Sequence, residues 1–370
     1  MDPFKPGLLD RLVPLPRKVA LLRASRLGDF VCATPAFCAL RSALPEAEIS
    51  FVGLPFIAPL ATRLASFDRF FPFPGALGIA EQLFDARKLT VFLKRMQDEE
   101  FDLVIQMHGS GVFSNPIALL FGGRATAGFV RAGDPPGRLD AAMPYPAGLH
   151  EVKKNLALTS FLGAPSVDES LDYPLEAADY AEARELLSAS RCPLIGVHAG
   201  AEAMTKRWNA ARFGQAASRL AVRGGGTVIL LGAGDRDDRA LTENLAAPFV
   251  DLRGRTSLGG LGAVIARLSI LLTNDSGPAH IAYALRTPSV TVFGSTLPSE
   301  WASSEVSRHA VVVHPIDCRP CNLETCSIGY PCLEIVSIEQ VVTAARRVMK
   351  VEGTDGGFCG NGAETGTFAF

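Results

Sequence analysis

The chain has 370 residues, 48% hydrophobic and 20% charged, with a formal net charge of −2, a globular composition that excludes a disordered chain and gives no sign of a nucleic-acid binder. The length suits two domains rather than one core. No apolar run approaches the roughly 18–20 residues that cross a bilayer, and the N-terminus, with Asp2, Lys5, Asp10 and Arg11 around a short Leu-rich piece, is a poor signal peptide, so a cytoplasmic protein is expected.

After a Pro-punctuated leader, KVALLR over 18–23 is predicted as a buried strand, followed by a loop to Asp29 and a helix over 30–43. A strand over 49–52, a helix over 55–64 and a weak strand over 70–73 come next. Residues 86–97 form an amphipathic helix carrying Arg87, Lys88, Lys94 and Arg95. This helix is either a solvated face or a contact with an anionic acceptor or the inner membrane surface. The strand DLVIQ over 102–106 leads into His108, and a further short strand is expected over 126–129. A helix over 150–162 closes the first half. The pattern restarts with LIGVH over 194–198, and strands over 227–231, 249–252, 269–272 and 289–293 alternate with helices over 211–222, 237–245 and 258–268. A last helix over 338–348 precedes a Gly/Thr-rich tail.

Strands alternating with helices predict parallel sheets with helices on both faces. The organisation expected is a Rossmann-like domain over 1–165, a linker over 166–193, a second Rossmann-like domain over 194–350 and a disordered tail over 351–370. Such sheets bind ligands outside the carboxyl ends of their strands, so two doubly wound domains would face each other across a cleft.

Four segments fall at such strand ends. LLTNDSGPAHIAYALRTPSVTVFGST, over 271–296, is a strand, a loop, a helix opened by Ser276 and Pro278, and a second strand. Its loop offers free amides and the positive end of a helix dipole to an anion, beside Asp275, Gly277 and His280. Ser25-Arg26-Leu27-Gly28-Asp29 puts a carboxylate at a helix start. Asp29 is there either as an N-cap or as a base for an acceptor hydroxyl. Lys206-Arg207-Trp208 follows the Gly200 loop. Lys206 either neutralises a diphosphate leaving group or is a solvated surface charge. Asp237 or Asp238, after the Gly232 turn, either accepts from ribose hydroxyls or merely complements a helix N-terminus. No G-x-G-x-x-G follows either first strand, and the P-loop, H-E-x-x-H and G-x-S-x-G patterns are missing, which removes support for hydride transfer, ATP hydrolysis, zinc proteolysis and serine hydrolysis.

Of eight cysteines, Cys32, Cys38, Cys192 and Cys359 are dispersed and expected to be single thiols. Cys318, Cys321, Cys326 and Cys332 are crowded, and they either gather around a structural Zn or Fe ion or form a reduced loop without metal.

Gly28-Asp29 with Thr34-Pro35, Lys206-Arg207-Trp208, the Gly232 turn, Asn274-Asp275-Ser276-Gly277 with His280, and Gly294-Ser295-Thr296 occur in this order, and together they resemble glycosyltransferase family 9, the ADP-heptose:lipopolysaccharide heptosyltransferases. The resemblance covers residues 18–349. It implies a GT-B fold and inverting transfer of a heptose or related sugar to a lipopolysaccharide core or similar lipid-linked glycan, with no cofactor needed for transfer. It also implies Asp29 as base, with Ser25, Arg26 and Gly28 on the acceptor side. Lys206, Asp275, Ser276, Gly277, His280, Gly294 and Thr296 would contact the donor, with Asp238 aligning only loosely. Asn209 departs from the Pro that many relatives carry after the Trp. Two other functions fit the same residues: a nucleotide-sugar 2-epimerase, which needs no acceptor, and a non-catalytic nucleotide- or metal-binding assembly protein.

Overall fold

Each half of the chain builds one all-parallel, six-stranded sheet. In the computed structural model, which describes residues 2–79, 83–166, 168–234, 239–321 and 323–351, the first sheet contains β1 (Lys18–Leu22), β2 (Glu48–Gly53), β3 (Arg69–Pro72), β4 (Leu103–Gln106), β5 (Ala125–Val130) and β6 (Ala141–Pro144). Their spatial order is β3-β2-β1-β4-β5-β6. The second contains β7 (Leu194–His198), β8 (Thr227–Leu230), β9 (Phe249–Asp251), β10 (Ile270–Asn274), β11 (Ser289–Phe293) and β12 (His309–Val313), in the order β12-β11-β10-β7-β8-β9. Counted from its own first strand, the second sheet repeats the order of the first. Chain direction therefore reverses between β1 and β4 and again between β7 and β10, the positions where open parallel sheets hold ligands.

The chain divides into two units, Met1–Pro174 with Ser299–Trp301 and Leu175–Pro298 with Ala302–Phe370. In the first, Phe30, Phe37, Phe51, Phe67 and Phe70 pack in an aromatic cluster on one face of the sheet. On the other face Leu22, Val52, Phe71 and Val104 meet Phe92, Met96 and Phe121. In the second unit Ile195, Val197, Val228, Leu230, Ile270, Leu272, Val290 and Val292 pack against helices Ala210–Gly224 and Ile338–Val351. Central strands buried on both faces read as unbroken apolar runs, and for this reason their positions are legible in the sequence.

Two features were not anticipated. The edge strands β6 and β12 lie outside the predicted set, whereas the other two edges, β3 and β9, lie within it. Residues 166–193, expected as linker, contain the helix Ala177–Leu186. It packs on the helix Leu258–Ala266, where Glu182 accepts hydrogen bonds from Ser257 N at 2.9 Å and Ser257 Oγ at 2.6 Å. A Cβ at Gly259 would sit 2.0 Å from Asp179 Oδ1, so the glycine permits this close packing.

Candidate active site

The second unit assembles its polar residues at the reversal between β7 and β10. After β7 the chain loops to Lys206, and the anchor of that loop is Trp208. Its indole is buried, packs edge-on against Phe213 at 4.7 Å and donates to Val336 O at 3.1 Å. Asn274, fully buried at the end of β10, accepts from Trp208 N at 2.9 Å and donates to Ala199 O at 2.8 Å, clasping both ends of the loop. Arg207 donates to Ala201 O and Glu202 O, each at 2.7 Å, so it braces the loop from within. Asn209 caps the helix that follows, accepting from Arg212 N at 3.2 Å, which explains how the chain accommodates Asn here.

Lys206 is thereby presented to Asp275. Its Nζ lies 2.9 Å from Asp275 Oδ2, which also accepts from Thr296 Oγ1 at 2.6 Å. The carboxylate is buried, whereas the Lys206 side chain is 27% exposed. Gly294 is required by backbone approach: a Cβ there would lie 2.0 Å from Thr205 O, which accepts from Ser295 N at 3.1 Å. Ser276 occupies the N-cap of the helix Gly277–Ala284, yet its hydroxyl does not cap. It meets His198 Nδ1 at 3.2 Å and Asn274 O at 3.2 Å instead, so the N-cap side chain does not engage the first-turn amides. That turn is a ready anion site. His280 is buried edge-on against Tyr283 at 5.5 Å, on the same helix.

The first unit has a different construction at the reversal between β1 and β4. Arg23, just past β1 and 4% exposed, spends every donor of its guanidinium. It reaches Met107 O at 2.6 Å, Asn155 Oδ1 at 3.0 Å, Glu151 Oε1 at 2.9 Å, and Asp29 O at 3.0 and 3.2 Å. Glu151 in turn meets Lys154 Nζ at 3.2 Å. Burial pushes the Glu151 carboxyl up, but Arg23 and Lys154 outweigh it and hold the group below its ordinary value. The helix begins at Leu27 with Arg26 as N-cap, so Asp29 is not a cap but a first-turn residue. Its carboxylate lies 3.8 Å from the Arg23 guanidinium and is 32% exposed, which suits a group that must meet a ligand. Gly28 is buried and Arg26 exposed. The Thr34-Pro35 pair has a local explanation: Pro35 cannot donate to Val31 O, and Thr34 Oγ1 does so at 2.8 Å.

Two atoms of this end are buried without a hydrogen-bond partner among the described residues, Ser25 Oγ and His108 Nδ1. Burial, with the Arg23 charge, pushes His108 down to about 4, so its imidazole is neutral at pH 7. Buried polar atoms left open in this way invite a ligand hydroxyl. Arg23, His108, Glu151, Asn155 and Asn274 were not singled out as site residues from sequence. Asn274 stood inside the quoted Asn274-Asp275-Ser276-Gly277 motif, and for Arg23 the available signal was a charge ending an otherwise apolar strand, KVALLR.

Asp238 lies outside the described residues, as do Cys359 and residues 352–370 of the expected tail. Cys192 is disulfide-bonded rather than the single thiol expected. Among the described residues no three His, Cys, Asp or Glu side chains are arranged to hold a metal ion. Cys318, Cys321, Cys326 and Cys332 are free of disulfides. Burial pushes the Cys332 thiol up, and the other three thiols add to the shift. This loop touches the β7–β10 end: Met204 N donates to Glu324 O at 2.8 Å and Cys321 N to Ser295 O at 3.2 Å. Among the described residues no helix is long and apolar enough to cross a membrane.

The profile of glycosyltransferase family 9 (heptosyltransferase) matches residues 89–330. Lipopolysaccharide heptosyltransferase 1 of Pseudomonas aeruginosa is 26% identical over 327 residues, covering 84% of this chain and 87% of that protein. Among solved structures, the glycosyl transferase family 9 protein of Veillonella parvula DSM 2008 aligns with a TM-score of 0.76 at 22% identity, over 90% of this chain and 97% of its own. ADP-heptose lps heptosyltransferase II of E. coli aligns with a TM-score of 0.71 at 19% identity, over 90% and 99%. At these identities the structures speak for the fold, and the fold is GT-B.

Proposed function

The chain belongs to glycosyltransferase family 9, and from that premise we propose that it moves a heptose from an ADP-heptose-type nucleotide sugar to a lipopolysaccharide core or a similar lipid-linked acceptor. The second unit takes the nucleotide sugar and the first takes the acceptor. The observation carrying this reading is the Lys206–Asp275 pair, 2.9 Å apart beside the uncapped first turn of the helix Gly277–Ala284. A cation held by a buried carboxylate at a helix N-terminus suits a diphosphate, whose charge grows as the sugar departs.

In the step proposed, Asp29 takes the proton from the acceptor hydroxyl as its oxygen attacks the anomeric carbon from the face opposite the diphosphate. The carbon–oxygen bond to the diphosphate breaks, and Lys206 and the helix turn neutralise the leaving group. One displacement inverts the anomeric carbon. Arg23 fixes the backbone of Asp29 and sets a positive charge 3.8 Å from its carboxylate. No step is routed through the cysteine loop. An acceptor carried on lipid places the work at the cytoplasmic face of the membrane.

The test is thermal stabilisation of the purified chain by ADP, GDP, UDP and their sugars, since a ligand that binds only the folded state raises the melting temperature. Selective stabilisation by ADP and ADP-heptose is expected, followed by heptosyl transfer to a core acceptor. A preference for GDP or UDP would replace the donor, and no response to any nucleotide would overturn the reading.

A further inference from the structure

Outside the candidate site, the first unit carries an open groove of about 790 Å³. One wall is Phe73 and Pro74 after β3, and the other is one face of the helix Ala86–Asp98. That helix has two working faces. Phe92 and Met96 enter the core, with Leu89 and Leu93 half-buried against it. Arg87, Lys88, Val91 and Arg95, spaced at helical repeats on another side, line the groove. Val91 is 71% exposed and Leu83, at the groove's rim, is 95% exposed.

Three properties set this surface apart from an ordinary solvated helix. Its apolar tips stand in water beside cations instead of being covered. No acidic residue lines it, and among the described residues Arg87 and Lys88 have no ion-pair partner. By contrast, Lys94, outside the groove on the same helix, is paired with Asp98 one turn on. Arg95 is held over the Phe71 ring at 4.6 Å, which fixes a cation at the groove edge. An enclosed pocket would suit a small solute, whereas an open trough of isolated apolar tips ringed by cations has the chemistry of a membrane interface. Apolar tips enter the headgroup–acyl boundary while Arg and Lys meet lipid phosphates.

We propose that this groove docks the protein onto an anionic phospholipid bilayer through Arg87, Lys88 and Arg95, with Leu83 and Val91 inserted between headgroups. The proposal deepens the function proposed above and rests on it only for the expectation that the acceptor is lipid-borne.

The experiment is co-sedimentation of the full chain with phosphatidylglycerol-containing vesicles and with pure phosphatidylcholine vesicles. Binding is expected only to the anionic vesicles and should weaken with salt. Arg87→Ala with Lys88→Ala is expected to lower vesicle affinity roughly 30-fold, about fivefold for each cation. Val91→Asn is expected to lower it severalfold, and Lys94→Ala less than twofold. Equal binding to both vesicle types, or an equal loss with Lys94→Ala, would overturn the proposal. So would unchanged vesicle affinity with a raised KM for a soluble, deacylated acceptor, which would make the groove part of the acceptor site. Vesicle binding is measured without turnover, so failure of the transferase reading would leave this result standing and identifiable.

Discussion

The two units share one strand order but finish their reversal points in opposite ways. At the β7–β10 end the polar side chains named above are engaged: Lys206 with Asp275, Thr296 with Asp275, Asn274 with Trp208 and Ala199, and Ser276 with His198. At the β1–β4 end a buried Arg23–Glu151–Lys154 network stands beside two open atoms, Ser25 Oγ and His108 Nδ1. A closed network is preorganised and gives up little entropy when it meets one repeated ligand. An end with unsatisfied buried atoms carries a standing cost until a ligand completes it. The β7–β10 end is thus built before binding, while the β1–β4 end is rigid in its charges and open in its hydrogen bonds.

The sharpest test of that contrast is Asp29→Asn. It keeps the shape of the β1–β4 end and removes only the proposed base, so turnover is expected to fall by about 10²–10⁴-fold while the nucleotide-sugar dissociation constant by calorimetry stays within about twofold. Near-normal turnover would remove Asp29 from the base role.

Next in size is Glu151→Gln. It removes the carboxylate that Arg23 and Lys154 share and leaves them only the longer contacts to Asp29 at 3.8 Å and Glu300 at 3.6 Å, so a loss of about 3 kcal/mol in unfolding free energy is expected by denaturant titration. The linkage has a definite sign. A carboxyl held below its ordinary value stabilises the fold fully above the unfolded pKa of about 4.3, and that contribution is lost as pH falls through the lower folded value. The acid limb of the stability profile should therefore be shallower in Glu151→Gln than in the parent. An unchanged limb would mean that the network does not govern acid stability.

The smallest of the three is Lys206→Ala. Donor affinity should fall by about 10–100-fold, the range of one charge-assisted contact of roughly 1.5–3 kcal/mol. Asp275 keeps the Thr296 hydroxyl as a partner, so the melting temperature should move less than in Glu151→Gln. A larger stability loss at Lys206 than at Glu151 would reverse the contrast between the ends.

How much of this was legible beforehand follows from the range of each interaction. The sequence by itself determined the buried strands, because each is a local apolar run. It also determined the strand-end positions of Asp29, Lys206 and Asp275, because a loop between a strand and a helix is a local event. The Ser276–Pro278 helix start was visible on the same ground, although the Ser276 hydroxyl turned away from the cap. Only the tertiary structure decided who meets whom. Arg23 finds Glu151, 128 positions away, because the helix Glu151–Leu162 packs beside the helix Leu27–Ala43. Gly294 is glycine because Thr205, 89 positions earlier, passes against it. The cysteine spacing admitted a metal site, but a ligand set is made by side chains converging in three dimensions, which spacing alone does not contain. Periodicity is set by each residue's near neighbours, whereas partners are set by the strand order, which no single stretch of sequence contains.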